Sequence, residues 1–105
     1  MKKQKVKTNK FQDIYTVVAK IPRGKVMTYK QVADIVRTTP RVVGFAMAGN
    51  KDTAKVPCHR VIDSQGKLRG YGFGGIKIKK QLLEHEGIHF LDEDTIDLPN
   101  SLLQY

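Results

Sequence analysis

The chain has 105 residues, 40% of them hydrophobic and 28% charged, which fits one domain with one modest core and argues against wholesale disorder. Lys and Arg number 19 against 10 acids, a formal +9, and a surplus of that size favours a polyanionic partner. No apolar run reaches transmembrane length and no secretory leader is visible, so the expectation is an intracellular protein with no membrane role. One Cys cannot close an internal disulfide, and three scattered His give no zinc spacing.

Met1 to Lys7 is Lys-rich and reads as a flexible arm. Phe11, Ile14, Tyr15 and Val18 then recur at helical spacing, with Thr8 or Asn9 placed to cap. Pro22-Arg23-Gly24 ends this helix. Thr28, followed three residues later by Gln31, forms a capping box for a second helix whose buried face is Val32, Ala33, Ile35 and Val36. Thr38-Thr39-Pro40 breaks it, and Pro40 opens a third helix through Ala48. Gly49-Asn50, both tolerant of left-handed backbone, should close that helix. Two short helices around a tight turn, in a basic chain, read as a helix-turn-helix; a plain helical hairpin in a core is the alternative. Arg41 stands in the first turn of the third helix, where the dipole opposes a cation.

After a polar loop comes Val56-Pro57-Cys58-His59-Arg60-Val61. A thiol becomes a nucleophile when a neighbour takes its proton, and a basic side chain adjoins this one. Pro57 stiffens the approach, so Cys58 is expected on a bend; a buried structural thiol is the competing reading. Val61-Ile62 reads as a short buried strand, Asp63 to Gly66 as a turn, and Lys67-Leu68 as the return of a small hairpin. Gly70 to Gly75 is an aromatic glycine loop without a phosphate-loop ending. A fourth helix follows from Ile76 to about Glu86. Ile78, Leu82 and Leu83 are placed inward, Lys77, Lys79 and Lys80 outward, and Gly87 caps the end. Glu86 also sits against its helix dipole, which fits either a carboxylate orienting a histidine or a frayed surface residue. Ile88 and Phe90 pack onto the body, and residues 92–105 form an acidic tail. The fold class expected is mainly α with a small β-hairpin: a single winged-helix-like helix-turn-helix domain, 1–105, with an active-site loop.

Tyr29, Arg41-Val42-Val43-Gly44, Asn50, Pro57-Cys58-His59-Arg60-Val61, the Tyr/Gly loop and Leu82-Leu83-Glu84-His85-Glu86-Gly87 occur in the order of a known family. From Phe11 to Phe90 the chain resembles the DNA-binding and active-site domain of the O6-alkylguanine-DNA alkyltransferases, the methylated-DNA–protein-cysteine methyltransferases. It also resembles the alkyltransferase-like proteins, which typically carry another residue, often Trp, at the place of Cys58. The resemblance implies a double-stranded DNA partner containing O6-alkylguanine, a monomer, and no metal or cofactor. It implies that Cys58 accepts the alkyl group irreversibly, that His59 takes the thiol proton through a water, and that Glu86 orients His59. Asn50 would support the turn before the active-site loop. Tyr29 would press on a phosphate, and Arg41 would fill the space of the flipped guanine. Val42, Gly44 and Ala46 would let the third helix approach the minor groove. Met47, Val61 and Tyr71 would line the base pocket.

Several residues depart from the family's pattern. The expectation is a domain without the companion that precedes it in many family members; Lys51 follows Asn50 where Pro is usual, the glycine loop is about one residue longer, and Phe45 replaces a small residue. The first reading is a single-turnover repair protein; the second is a lesion binder that does not transfer. A plain helix-turn-helix regulator with an incidental Cys, or a Cys-His hydrolase, explains fewer of these residues.

Overall fold

The computed structural model describes residues 2–68 and 74–103, with side chains from Lys10 onward. Tyr71 and Phe73 of the glycine loop lie outside the described residues.

Helix α1 runs Lys2–Ala19. It begins ahead of the expected cap at Thr8 or Asn9. Residues 2–7, read as an arm, continue the helix: Lys and Gln favour helix, and no Gly or Pro interrupts them. Ile14 and Val18 are fully buried on its inner face. A two-residue strand β1, Met27–Thr28, leads into α2, Tyr29–Val36. The capping box forms as expected: the Thr28 hydroxyl accepts from the Gln31 backbone N–H at 3.0 Å, and the Gln31 carbonyl oxygen accepts from the Thr28 N–H at 2.9 Å. Val32, Ala33 and Val36 are buried, but Ile35 is not; it lies on the flank of that stripe and is 42% exposed.

The turn between the helices is tightened by Arg37, which takes left-handed backbone at φ 62°. α3, Pro40–Ala48, starts under Thr39, whose hydroxyl accepts from the Val42 N–H at 3.3 Å. It does not end in left-handed backbone. Gly49 keeps a φ of −87°, so the helix stops at the expected residue but in right-handed backbone; the left-handed residue of this unit is Arg37, in the turn before α3. α2 and α3 pack on each other and on α1 around Val43, Ala46 and Met47, giving a helix-turn-helix on a helical platform.

The single-turn 3-10 helix Cys58–Arg60 runs into β2, Val61–Ile62. β2 pairs with β1 in parallel, Met27 opposite Val61 and Thr28 opposite Ile62. The small sheet is therefore a crossover pair and not the expected hairpin. The Asp63 N–H does donate to the Lys67 carbonyl at 3.3 Å, but Lys67 bridges to Thr95 and the Leu68 N–H donates to Asp94. The tail supplies those partners. Ile96 is 1% exposed, a short helix α5 covers Leu98–Ser101, and Val26 exchanges hydrogen bonds with Ser101 and Leu103 at 2.9 and 2.8 Å. Ile96 joins Val26, Ile62, Leu68, Leu83 and Ile88 in a second buried cluster.

Helix α4, Gly75–His85, closes this cluster. Its end is a Schellman motif. The Gly87 N–H donates to Glu84 O and the Ile88 N–H to Leu83 O, both at 3.0 Å, with Gly87 at φ 90°. Glu86 is thereby fixed in direction, one residue past the helix. Lys79 was expected to face outward, yet it is 1% exposed, because it lies four residues before Leu83 on the same inward stripe.

Candidate functional site

Cys58 opens the 3-10 turn, as the bend-forming Pro57 requires, and is 6% exposed. Its N–H donates to Val56 O at 2.8 Å, and the Val61 N–H returns to Cys58 O. Asn50 ties this segment to the end of α3: its side-chain amide donates to Val56 O at 2.8 Å, while its carbonyl oxygen accepts from the Asp52 N–H at 3.1 Å. Asn50 is 4% exposed, so both bonds are shielded.

His59 and Glu86 are far apart in sequence and meet through the 3-10 turn and the end of α4. The separation is 2.9 Å between His59 Nε2 and Glu86 Oε2, with side chains 8% and 9% exposed. Ionised Glu86 can only accept, so Nε2 carries the proton and Nδ1 is left as the basic nitrogen. Burial lowers the His59 pKa below its usual value, against the opposing pull of Glu86, and keeps the ring neutral near pH 7. Burial alone would raise the Glu86 pKa, but hydrogen bonds from Arg60 and then His59 outweigh it and hold the carboxyl below its ordinary range.

Arg60 was not assigned a role from the sequence. Its Nε and Nη2 fork onto both oxygens of Glu86 at 2.9 and 2.7 Å, and Nη1 donates to Ile21 O at 2.7 Å. Lys79 was misplaced. Its ammonium donates to Val61 O at 2.9 Å, and burial drops its pKa to about 8 despite the nearby charges of Cys58 and Asp63. A lysine at helical spacing with Leu83 was the available signal. Tyr15 also borders the thiol: burial, then the charge of Cys58, raises its pKa, and its hydroxyl donates to Ala46 O at 2.8 Å.

On the outer side of α3, Arg41 and Phe45 are exposed and the Arg41 guanidinium carbon lies 5.6 Å from the Phe45 ring centroid. Gly44 is half-buried, with open space where a Cβ would stand, and Val42 is half-buried against the core. Ala46 does not join that face. Its side chain is fully buried, so its small size serves the contact of α3 with α1. Met47 and Val61 are buried beside Cys58 in the main core, and Tyr29 packs against its edge. Tyr71 lies outside the described residues. Among the described residues no group of acids, His and Cys could hold a metal ion.

A basic helix-turn-helix followed by a buried thiol, with a histidine and a carboxylate behind it, has the build of a DNA-binding domain. The chain belongs to the DNA alkyltransferase family: the domain described as "6-O-methylguanine DNA methyltransferase, DNA binding domain" matches residues 9–88. DNA binding, DNA repair and methyl transfer are the terms that go with that family. A methylated-DNA–protein-cysteine methyltransferase of Saccharolobus solfataricus is 49% identical over 84 residues, 79% of this chain and 54% of that protein. The chain thus spans about half the length of such relatives. Schizosaccharomyces pombe Atl1, solved with damaged DNA containing O6-carboxymethylguanine, has a TM-score of 0.83 at 30% identity, covering 93% of this chain and 97% of that one. Mycobacterium tuberculosis OGT, solved with DNA, has a TM-score of 0.68 at 42% identity, covering 72% and 48%.

Proposed function

We propose that this protein repairs O6-alkylguanine in double-stranded DNA by moving the alkyl group to its own Cys58. The observation that carries this reading is the buried His59–Glu86 pair at 2.9 Å, with His59 next to the thiol in the chain. A binding module needs a pocket; it does not need a neutral imidazole backed by a carboxylate beside a cysteine.

In this reading Arg41 enters the base stack from α3, Tyr29 presses on the adjoining phosphate, and Val42 and Gly44 keep the helix face low enough to reach the minor groove. The target nucleotide swings out toward Cys58, at a cost of a few kcal/mol that a weakened alkylated pair reduces. Met47 and Val61 border the thiol, and Tyr71 would complete the pocket. The Cys58 proton passes to His59 Nδ1, by way of a water, while Glu86 stabilises the imidazolium. The sulfur attacks the alkyl carbon in line. A C–S bond forms, the C–O bond breaks, and its electron pair remains on the guanine, which takes up a proton. The thioether has no leaving path, so each molecule acts once.

A second reading is supported by the coverage of Atl1, whose chain this one matches over 97% of its length against 48% for OGT. It is a lesion binder that hands damage to another route. Intact-protein mass separates the two. After incubation with O6-methylguanine duplex, repair adds one methyl per chain, and Cys58→Ala removes the gain. Tight lesion binding by the unmodified protein with no mass change would establish the second reading instead.

A further inference from the structure

Phe45 is the residue of α3 that the site above leaves unused. It lies one helical turn after Arg41, on the side opposite the buried Val43, Ala46 and Met47. At 56% exposure it is the only exposed aromatic among the described residues. A single exposed apolar side chain is ordinary and calls for no explanation. This one has a specific companion: the Arg41 guanidinium rests over its ring at 5.6 Å. On the flank of Arg41 away from Phe45, Gly44 leaves open space where a Cβ would stand, so the pair forms a ridge beside a shallow face.

We infer that Phe45 is a second DNA-contacting wedge, paired with Arg41 on the groove-facing side of α3. The inference rests on the proposed alkylguanine reading and adds a residue to it. In the free protein the cation covers part of the ring. When Arg41 enters the stack it leaves that ring face, and the neighbouring unstacked base step takes its place. Proteins that open the minor groove commonly insert apolar side chains at such steps, where the loss of base stacking is offset by contact with the wedge. The ring is thus covered in both states, first by the guanidinium and then by DNA. A wedge acts on a deformed step, so it favours a duplex that a lesion has already weakened. It touches no phosphate, so it carries none of the salt dependence.

The test uses the Cys58→Ala protein, in which transfer cannot occur, and duplexes that differ only by one O6-methyl group. Adding Phe45→Ala is expected to weaken binding to the lesion duplex by roughly 5- to 150-fold, the range for losing one base–aromatic contact. The preference for lesion over normal duplex should shrink with it, and the slope of log Kd against log salt should stay unchanged. Phe45→Leu keeps an apolar wedge and should fall between. Arg41→Ala combined with Phe45→Ala should cost less than the two single losses together, since each residue completes the other's contact. The side chain is exposed, so the melting temperature serves as a check that the fold is intact. Affinity within about twofold of the parent, tighter binding, or a reduced salt slope each overturns the inference. If the parent shows lesion preference and Phe45→Ala retains it, only this inference fails. A parent with no lesion preference overturns the functional reading instead; Phe45 is then judged on the normal duplex, where equal affinity rejects it.

Discussion

Glu86 serves two partners with opposite demands. Arg60 grips both of its oxygens and keeps it ionised, and the same carboxylate receives the His59 N–H. The arrangement fixes the tautomer of His59 and leaves it neutral until the pH drops below its usual value, in the direction burial sets. The transfer rate should therefore fall on the acid side at a pH below about 6.5, the ordinary histidine pKa. Glu86→Gln removes the counter-charge, so that acid limb should move further down while the plateau rate drops by roughly 10- to 100-fold, within the usual worth of a general base. Single-turnover alkyl transfer against pH, at matched DNA occupancy, measures both. An unchanged plateau would remove Glu86 from the machinery. Glu86 was legible because an acid stands against its helix dipole, and its pairing with His59 because the family resemblance implies it. Arg60 was not, since a basic residue in a basic chain carries no signal until its partner is seen.

Lys79 was hidden for a different reason. Residue type argued for the surface, and helical position argued for the core; position won because its ammonium finds Val61 O. The arrangement is not favourable for stability at neutral pH. The pKa falls from 10.5 to about 8, so below pH 8 both folded and unfolded chains are protonated and the full penalty, about 3 kcal/mol, is present. Between pH 8 and 10.5 the unfolded chain binds more protons than the native one, so stability rises with pH across that window. Lys79→Met forgoes the charged bond to Val61, worth about 1.5–3 kcal/mol, and sheds the buried charge. It should match or exceed the parent in urea unfolding at pH 7 and lack the parent's gain toward pH 10. A variant that unfolds several kcal/mol sooner at pH 7 would show that the ammonium is a net support.

At the level of elements, local signals were the reliable ones. The Thr28–Gln31 box, Pro40 at the first turn of α3, and Gly87 after α4 all act within a few residues, and all stand where expected. What could not be read was pairing across the chain. β1 and β2 find each other in parallel, and the segment after Asp92 folds back because Val26 and Lys67 need ladder partners. Its acids suggested a solvated tail and concealed Ile96 and Leu98, which face inward between them. Ile96→Ala should therefore cost about 2–4 kcal/mol, as a core truncation does, where a true tail residue would cost almost nothing. Chemical unfolding decides it. The loss should also reach Val26 and the Met27–Val61 register, which links this cluster to the strand leaving Cys58.

Across the whole molecule the charge is polarised. Six of the ten acids fall between Glu84 and Asp97, along the end of α4 and the returning segment, so the rest of the chain carries more than the net +9. The helix-turn-helix lies on the basic part of the sequence and carries just one of the acids, Asp34, which is paired with Lys30 on an exposed face. In the proposed function such a distribution would draw a duplex toward the helix-turn-helix before any contact forms, within the roughly 8 Å over which charge is felt at physiological salt. Binding should weaken steeply with salt, each phosphate contact adding about 0.9 to the slope of log Kd against log salt. A footprint of about five contacts gives a slope near 4 to 5. The slope should be nearly the same for normal and O6-methylguanine duplexes, because the lesion changes base extrusion and not the phosphates. Deleting residues 1–7 removes Lys2, Lys3, Lys5 and Lys7 and should lower the slope by roughly one unit for each phosphate they reach. An unaltered slope would place the amino-terminal turns of α1 outside the footprint; a slope near zero for the intact chain would contradict a polyanion partner altogether.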